Sequence, residues 1–269
     1  MDFATTRGPL LLAHRGTPLT HVENTLPALA NALACGADVL ELDVRMSADG
    51  HVVVAHDETG ARLAGTDRAI ASASLAELRT WRLQDSAHAA ASASLATLCD
   101  VLEAFPTARL NVDIKQDRPD MVPTLLDLLA RHAAQARVLL TSFSARNLWR
   151  VRRRGYTGPL GLSQLDAVRV VLGPRSLARW LGPFGQRLQI PTRFGALDLG
   201  TRPVIERAHA LGLRVDYWVV NDLAEAERLL DLGADGLVTD DCRSVAELFA
   251  RHVRTAGFRE RHARTSAAR

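Results

Sequence analysis

The chain has 269 residues, 33 Lys plus Arg against 30 Asp plus Glu, and a formal net charge of +3, a balance too even for a polybasic nucleic-acid or membrane-surface binder. No apolar run reaches the ~20 residues of a membrane span, and the N-terminal "PLLL" lacks the length and cleavage pattern of a signal peptide. Three cysteines, Cys35, Cys99 and Cys242, are odd in number and show no disulfide or metal spacing, which suits a reducing, cytoplasmic compartment.

Short apolar runs alternate with helical patterns from end to end. "PLLLAH" (9–14) reads as a strand, and "TLPALANALAC" (25–35) as a helix stopped by Gly36. "DVLELDV" (38–44) is a second strand, and "HVVVAH" (51–56) returns from it after Asp49-Gly50, a strong hairpin signal. A two-residue loop at Asp49-Gly50 would pair Ala48 with His51 and set Asp43 opposite His56 on one face. Helical stretches at 74–82 and 97–105 flank "QDSAHAAASASLAT" (84–97), low in complexity and loop-like.

The remaining strands are "RLNVDIK" (109–115), "RVLLTSF" (137–143), "GPLGLSQ" (158–164), "RLQIP" (187–191), "LRVDYWVVN" (213–221) and "DGLVTDD" (235–241). Between them lie helices, one of which (165–181) should break at Gly173-Pro174. Without the hairpin return there are eight strands, each followed by a helix and several apolar on both faces, as buried parallel strands are. The pattern predicts a (β/α)8 TIM barrel over residues 1–255, with a β-hairpin return after the second strand and a short insertion. A doubly wound sheet is the runner-up, although no glycine-rich phosphate loop follows the first strand. Residues 256–269 form an Arg-rich tail without interleaved aromatics, which argues for a solvated segment and against nucleic acid.

Polar residues gather where the strands end, the catalytic face of such barrels: His14 and Arg15, then Glu41 and Asp43, then Asp113 and Lys115, and Trp218 with Asn221. Glu41 and Asp43, like Asp113 and Lys115, are i, i+2 pairs sharing a face. Converging Glu41, Asp43 and Asp113 would repel one another without a cation, and oxygen ligands select Mg²⁺ or Ca²⁺. Lys115 is the only lysine among the 33 basic residues, and with Arg15 it supplies charge for a phosphate. His14 and His56 can exchange protons near neutral pH. Asp57 is read as orienting its loop, and the other seven histidines as surface or capping residues. Together these groups describe phosphodiester cleavage.

The motifs "AHRG", "ENT" (23–25), "ELDVRMSADGHVVVAHD", "LNVDIK", "TSF", "AHALGLRVDYWVVND" and "DLGADGLVTDD" resemble, in order, those of the glycerophosphodiester phosphodiesterase family. The resemblance implies a TIM barrel that hydrolyses glycerophosphodiesters to sn-glycerol 3-phosphate and an alcohol with a divalent metal. It implies His14 and His56 as the acid/base pair, Glu41 and Asp43 as metal ligands, Arg15 and Lys115 on the phosphate, and Trp218 as a wall beside the glycerol moiety. Asp113 stands where the family usually has Glu, a methylene longer, which bears on metal choice. Val219 replaces a common Thr, and Asp241-Cys242 follows the last strand where Arg-Pro is frequent. The segment from His56 to Leu95 is short and alanine-rich where the family covers its substrate, which points to an open alcohol side. The alternatives are a lysophospholipase D or a cyclising, phospholipase C-like enzyme on lipid phosphodiesters, and a silent barrel acting as a binding protein.

Overall fold

The computed structural model describes residue 3 and residues 8–85, 92–174 and 185–251. The Arg-rich tail expected at 256–269 and the second half of the 165–181 helical pattern therefore lie outside the described residues. Seven parallel strands form a curled sheet: β1 (Leu10–Ala13), β2 (Val39–Met46), β4 (Arg109–Ile114), β5 (Val138–Thr141), β6 (Arg187–Pro191), β9 (Arg214–Trp218) and β10 (Gly236–Thr239). Their order is β5-β4-β2-β1-β10-β9-β6. β1 and β5 are buried along their whole length, because sheet neighbours and covering helices leave no face to water. Each fully buried leucine of these strands contributes about 2 kcal/mol of transfer free energy.

The eighth strand expected at 158–164 is reduced to two residues. Leu160 bridges Leu140 of β5, and Gly161 bridges Arg187 of β6, both in parallel sense. Pro159 supplies no N–H to a ladder, which is why this side is so short. Hydrogen bonds from Gly161 N to Leu140 O (2.9 Å) and from Leu162 N to Arg187 O (2.9 Å) still complete the ring.

The hairpin forms in a different register from the expected one. β3 (Val52–Val54) pairs antiparallel with β2 through Val44↔Val54 and Met46↔Val52. The loop holds three residues, Ala48, Asp49 and Gly50; Ser47 N donates to His51 O (2.9 Å), and Gly50 takes φ +85°. A third loop residue with glycine in the left-handed region is the next commonest hairpin solution after the two-residue turn. Asp43 therefore faces Ala55, whose N–H donates to Asp43 O at 2.9 Å, and not His56.

The helical layer includes α1 (Leu26–Ala34), the single-turn α2 (Ala61–Ala64) and α3 (Leu75–Leu78), then α4 (Leu98–Ala104), α5 (Val122–Arg131), α6 (Ala145–Arg153), α7 (Gln164–Leu172), α8 (Arg202–His209) and α9 (Leu223–Leu232). The helix expected at 74–82 thus shrinks to α3. α4 starts on a full capping box, with Thr97 and Asp100 each accepting from the other's backbone N–H. The segment after His56 packs Ile70, Leu78, Trp81, Leu83 and Leu95 with Val22 and Val53 into a satellite core. A short antiparallel pair, β7 (Arg193–Phe194) and β8 (Leu197–Asp198), projects beside the C-terminal end of β6.

Candidate active site

The eight residues singled out from the sequence, His14, Arg15, Glu41, Asp43, His56, Asp113, Lys115 and Trp218, line one cavity of about 410 Å³ at the C-terminal ends of the strands. Strand register explains the acidic cluster. β2 and β4 pair with Asp43 directly beside Asp113 and Glu41 beside Asn111, so one pleat turns all three carboxylates inward. Lys115 follows β4, and its Nζ lies 2.6 Å from Asp113 Oδ2 and 3.0 Å from Asp43 Oδ1.

Arg15 sits in a tight turn after β1, at φ +52°, followed by Gly16 at +89°. A Cβ on Gly16 would lie 2.7 Å from the Ala28 carbonyl carbon, so only glycine lets the turn rest on α1. The turn aims the Arg15 N–H at Glu41 Oε2 (2.9 Å), and its guanidinium lies against Glu23 (2.9 Å) and Asp43 (3.2 Å). Asn24, which a short polar side chain lets adopt φ +57°, grips Asp43 twice: Nδ2 donates to Oδ2 at 2.9 Å, and Oδ1 accepts from the backbone N–H at 3.2 Å.

Each histidine is held by an aspartate that sequence reading assigned no such role. Asp240 Oδ1 lies 2.7 Å from His14 Nδ1, while Asn221 Nδ2 donates to Asp240 Oδ2 at 2.8 Å. Asp57 Oδ1 lies 2.8 Å from His56 Nδ1. β3 ends at Val54, so the turn at 55–57 directs His56, not the strand pleat. Arg62 of α2 joins the two halves of the site: Nε donates to Asp57 (2.7 Å), and its two terminal nitrogens donate to Glu23 (2.7 and 2.9 Å). The motif "ENT" and the aspartates after "VT" were the available signals for Glu23, Asn24 and Asp240. For Arg62 there was none, because its partners lie 5 and 39 residues away.

The acids are electrostatically unequal. Burial, reinforced by the charge of Asp43, pushes the Glu41 carboxyl up to about 7. Burial also raises Asp113, against the pull of Lys115. For Asp43 burial acts upward too, but Lys115 and Arg15 outweigh it and the carboxyl falls below its ordinary value. Burial alone would lower His14; its bond to Asp240 and the charge of Glu41 more than offset this, and the imidazole is raised.

Asp113 Oδ1 is buried without a hydrogen-bond partner among the described residues. An unpartnered carboxylate oxygen beside a carboxyl held near neutrality is what a surplus of negative charge leaves when a cation is missing from the balance. The donor set therefore fits a hard divalent ion. The three carboxylates do not close on one point, however: their ligating oxygens are not all within 4.8 Å of one another, and Lys115 bridges Asp43 and Asp113.

The outer wall is apolar. Phe143, Val168, Leu172, Phe194, Leu197 and Val219 line the mouth, and all are exposed, Phe194 to 62%. Phe143 meets Trp218 edge-on at 6.0 Å and lies under Lys115 Nζ at 5.5 Å. Hydrophobic side chains from β7–β8 and α7 thus border the mouth of the cavity.

A closed α/β barrel with inward carboxylates, paired cations and two carboxylate-held imidazoles at its C-terminal rim defines the class of barrel hydrolases that act on phosphate esters. Residues 14–244 match the glycerophosphoryl diester phosphodiesterase family, and the chain belongs to that family. A Mycobacterium tuberculosis protein named "Probable glycerophosphodiester phosphodiesterase 2" is 31% identical over 89% of this chain and 90% of its own. Human lysophospholipase D GDPD1 is 27% identical over 85% of this chain and 82% of its own. An Oleispira antarctica phosphodiesterase, solved in complex with the product sn-glycerol-3-phosphate, has the same fold at a TM-score of 0.76 and 23% identity, covering 89% and 96% of the two chains.

Proposed function

We propose that the protein hydrolyses glycerophosphodiesters to sn-glycerol 3-phosphate and an alcohol, with a divalent cation, Mg²⁺ or Ca²⁺, as cofactor. One observation carries the reading: two imidazoles, two cations and three carboxylates around a single cavity at the rim of the barrel. Arg15 and Lys115 hold the phosphate oxygens, and Trp218 with Phe143 packs against the glycerol. Glu41, Asp43 and Asp113 would hold the cation, which when bound polarises a phosphoryl oxygen. His14, whose protonated form Asp240 and Glu41 favour, donates a proton to the departing alkoxide. His56, held through Nδ1 by Asp57, takes a proton from the attacking water. The likeness to a phosphodiesterase solved with sn-glycerol-3-phosphate supports the product, and the free cysteines support a cytoplasmic setting. The test is release of glycerol 3-phosphate from glycerophosphocholine with Mg²⁺, Ca²⁺ or Mn²⁺ added in turn; no release with any of them would end this reading.

The apolar mouth favours a second substrate, a lysophospholipid whose acyl chain lies against Val168, Leu172, Phe194 and Leu197. A human relative named lysophospholipase D supports it. kcat/KM should then rise along a series of lysophosphatidylcholines of increasing chain length, and a flat series would remove it.

A further inference from the structure

Away from the cavity, Cys99 and Glu103 lie four residues apart on one side of α4, and His132, the residue that ends α5, comes to meet them. Cys99 Sγ is 3.3 Å from Glu103 Oε1 and 3.6 Å from His132 Nε2. The three ligating atoms all fall within 4.8 Å of one another, and no other set of three among the described residues does so. With Zn–S of about 2.3 Å and Zn–N or Zn–O of about 2.1 Å, the edges of a tetrahedron around zinc are about 3.6 Å. The two sulfur separations, 3.3 and 3.6 Å, lie close to those edges. Cys99 Sγ donates to Glu103 and lies in contact with His132 Nε2, so a thiol, an imidazole and a carboxylate already face one another.

We propose that Cys99, Glu103 and His132 form a binding site for a thiophilic divalent cation, Zn²⁺ first among them, on the outside of the barrel. Thiolate and imidazole select such an ion over Mg²⁺ and Ca²⁺, so the site is chemically separate from the acidic cavity. Binding forms a sulfur–metal bond and releases the thiol proton to solvent, as metal sites with cysteine do. Water completes the fourth position. The ion ties α4 to the end of α5, the helices that precede and follow β4, the strand carrying Asp113. It also shields from oxidation a half-buried thiol, which burial and Glu103 keep protonated in the free protein.

The probe is Co²⁺ titrated into the full-length protein in excess Mg²⁺, followed in the near ultraviolet for thiolate-to-cobalt charge transfer. One equivalent should develop the band, and one equivalent of Zn²⁺ should bleach it. Cys99→Ser should abolish it with Cys35 and Cys242 intact, and His132→Ala should weaken Co²⁺ binding at least tenfold. Phosphodiesterase activity should be unchanged in both variants, which shows that they fold. A wild-type protein without the band, or a Cys99→Ser variant that keeps it, overturns the proposal.

Discussion

Two buried charged sets occupy the same barrel, and they differ in how completely they are balanced. Deep in the interior, Arg187 and Asp216 form a paired fork, with Arg187 Nε donating to Asp216 Oδ2 at 2.6 Å and a second bond to Oδ1. Gln189 Nε2 adds a third bond to Asp216 at 3.1 Å, and the Arg187 fork also reaches the Asp235 carbonyl at 3.2 Å. Each charge has its opposite and each oxygen a donor, as a buried ion pair requires if it is not to destabilise the fold. At the rim, three carboxylates face Lys115 and Arg15, one oxygen stays unpartnered and one carboxyl sits near neutrality. A closed set holds a structure together, whereas an open set has capacity left for something from outside.

The largest change expected on the open side is to catalysis. His14→Ala or His56→Ala should lower release of glycerol 3-phosphate by about 10²–10⁴-fold, while circular dichroism stays unchanged. Wild-type turnover by both variants would remove the acid/base assignment.

On the closed side the effect should be on stability. Asp216→Ala strands the Arg187 guanidinium and should cost about 3–5 kcal/mol, read as a lower urea midpoint. Near-neutral stability of that variant would mean water replaces the carboxylate and the interior set is not closed.

Glu41 offers a pH test in chelator. Its folded value of about 7 lies above its ordinary 4.5, so the folded state binds the extra proton. Wild-type stability should therefore fall as pH rises from about 4.5 to about 7 and then level off, by at most about 3 kcal/mol. Glu41→Gln should reduce that fall to the part that His14 and Asp113 contribute, and an added divalent cation should restore wild-type stability at pH 8 with less effect on the variant. A wild type equally stable at pH 5 and pH 8 in chelator would contradict the surplus charge.

The smallest effect should come from Arg62, which is nearly half exposed and braces Asp57 and Glu23 from the surface. Arg62→Ala should lower kcat severalfold with little change in stability, and Arg62→Lys should recover part of the loss. An unchanged kcat would show that each half of the site stands alone.

Much of this was legible in the chain itself, because strand periodicity is local. Alternation alone put Glu41 with Asp43 and Asp113 with Lys115, and doubly apolar runs marked buried parallel strands. Where several solutions compete locally, tertiary packing chose among them. The hairpin took a three-residue loop and moved Asp43 from His56 to Ala55, and strand 158–164 kept only the contacts needed to close the ring.

The barrel, its alternation of strands and helices and the identity of its chemical groups follow from the order of residues, since propensity and burial act over a few neighbours at a time. The balance of charge does not. Whether Asp113 keeps a free oxygen, that Asp240 holds His14, and that Cys99 meets His132 depend on groups brought together across 33 to 226 residues of chain. Electrostatic energies follow distance and burial in space, and only the folded arrangement sets those.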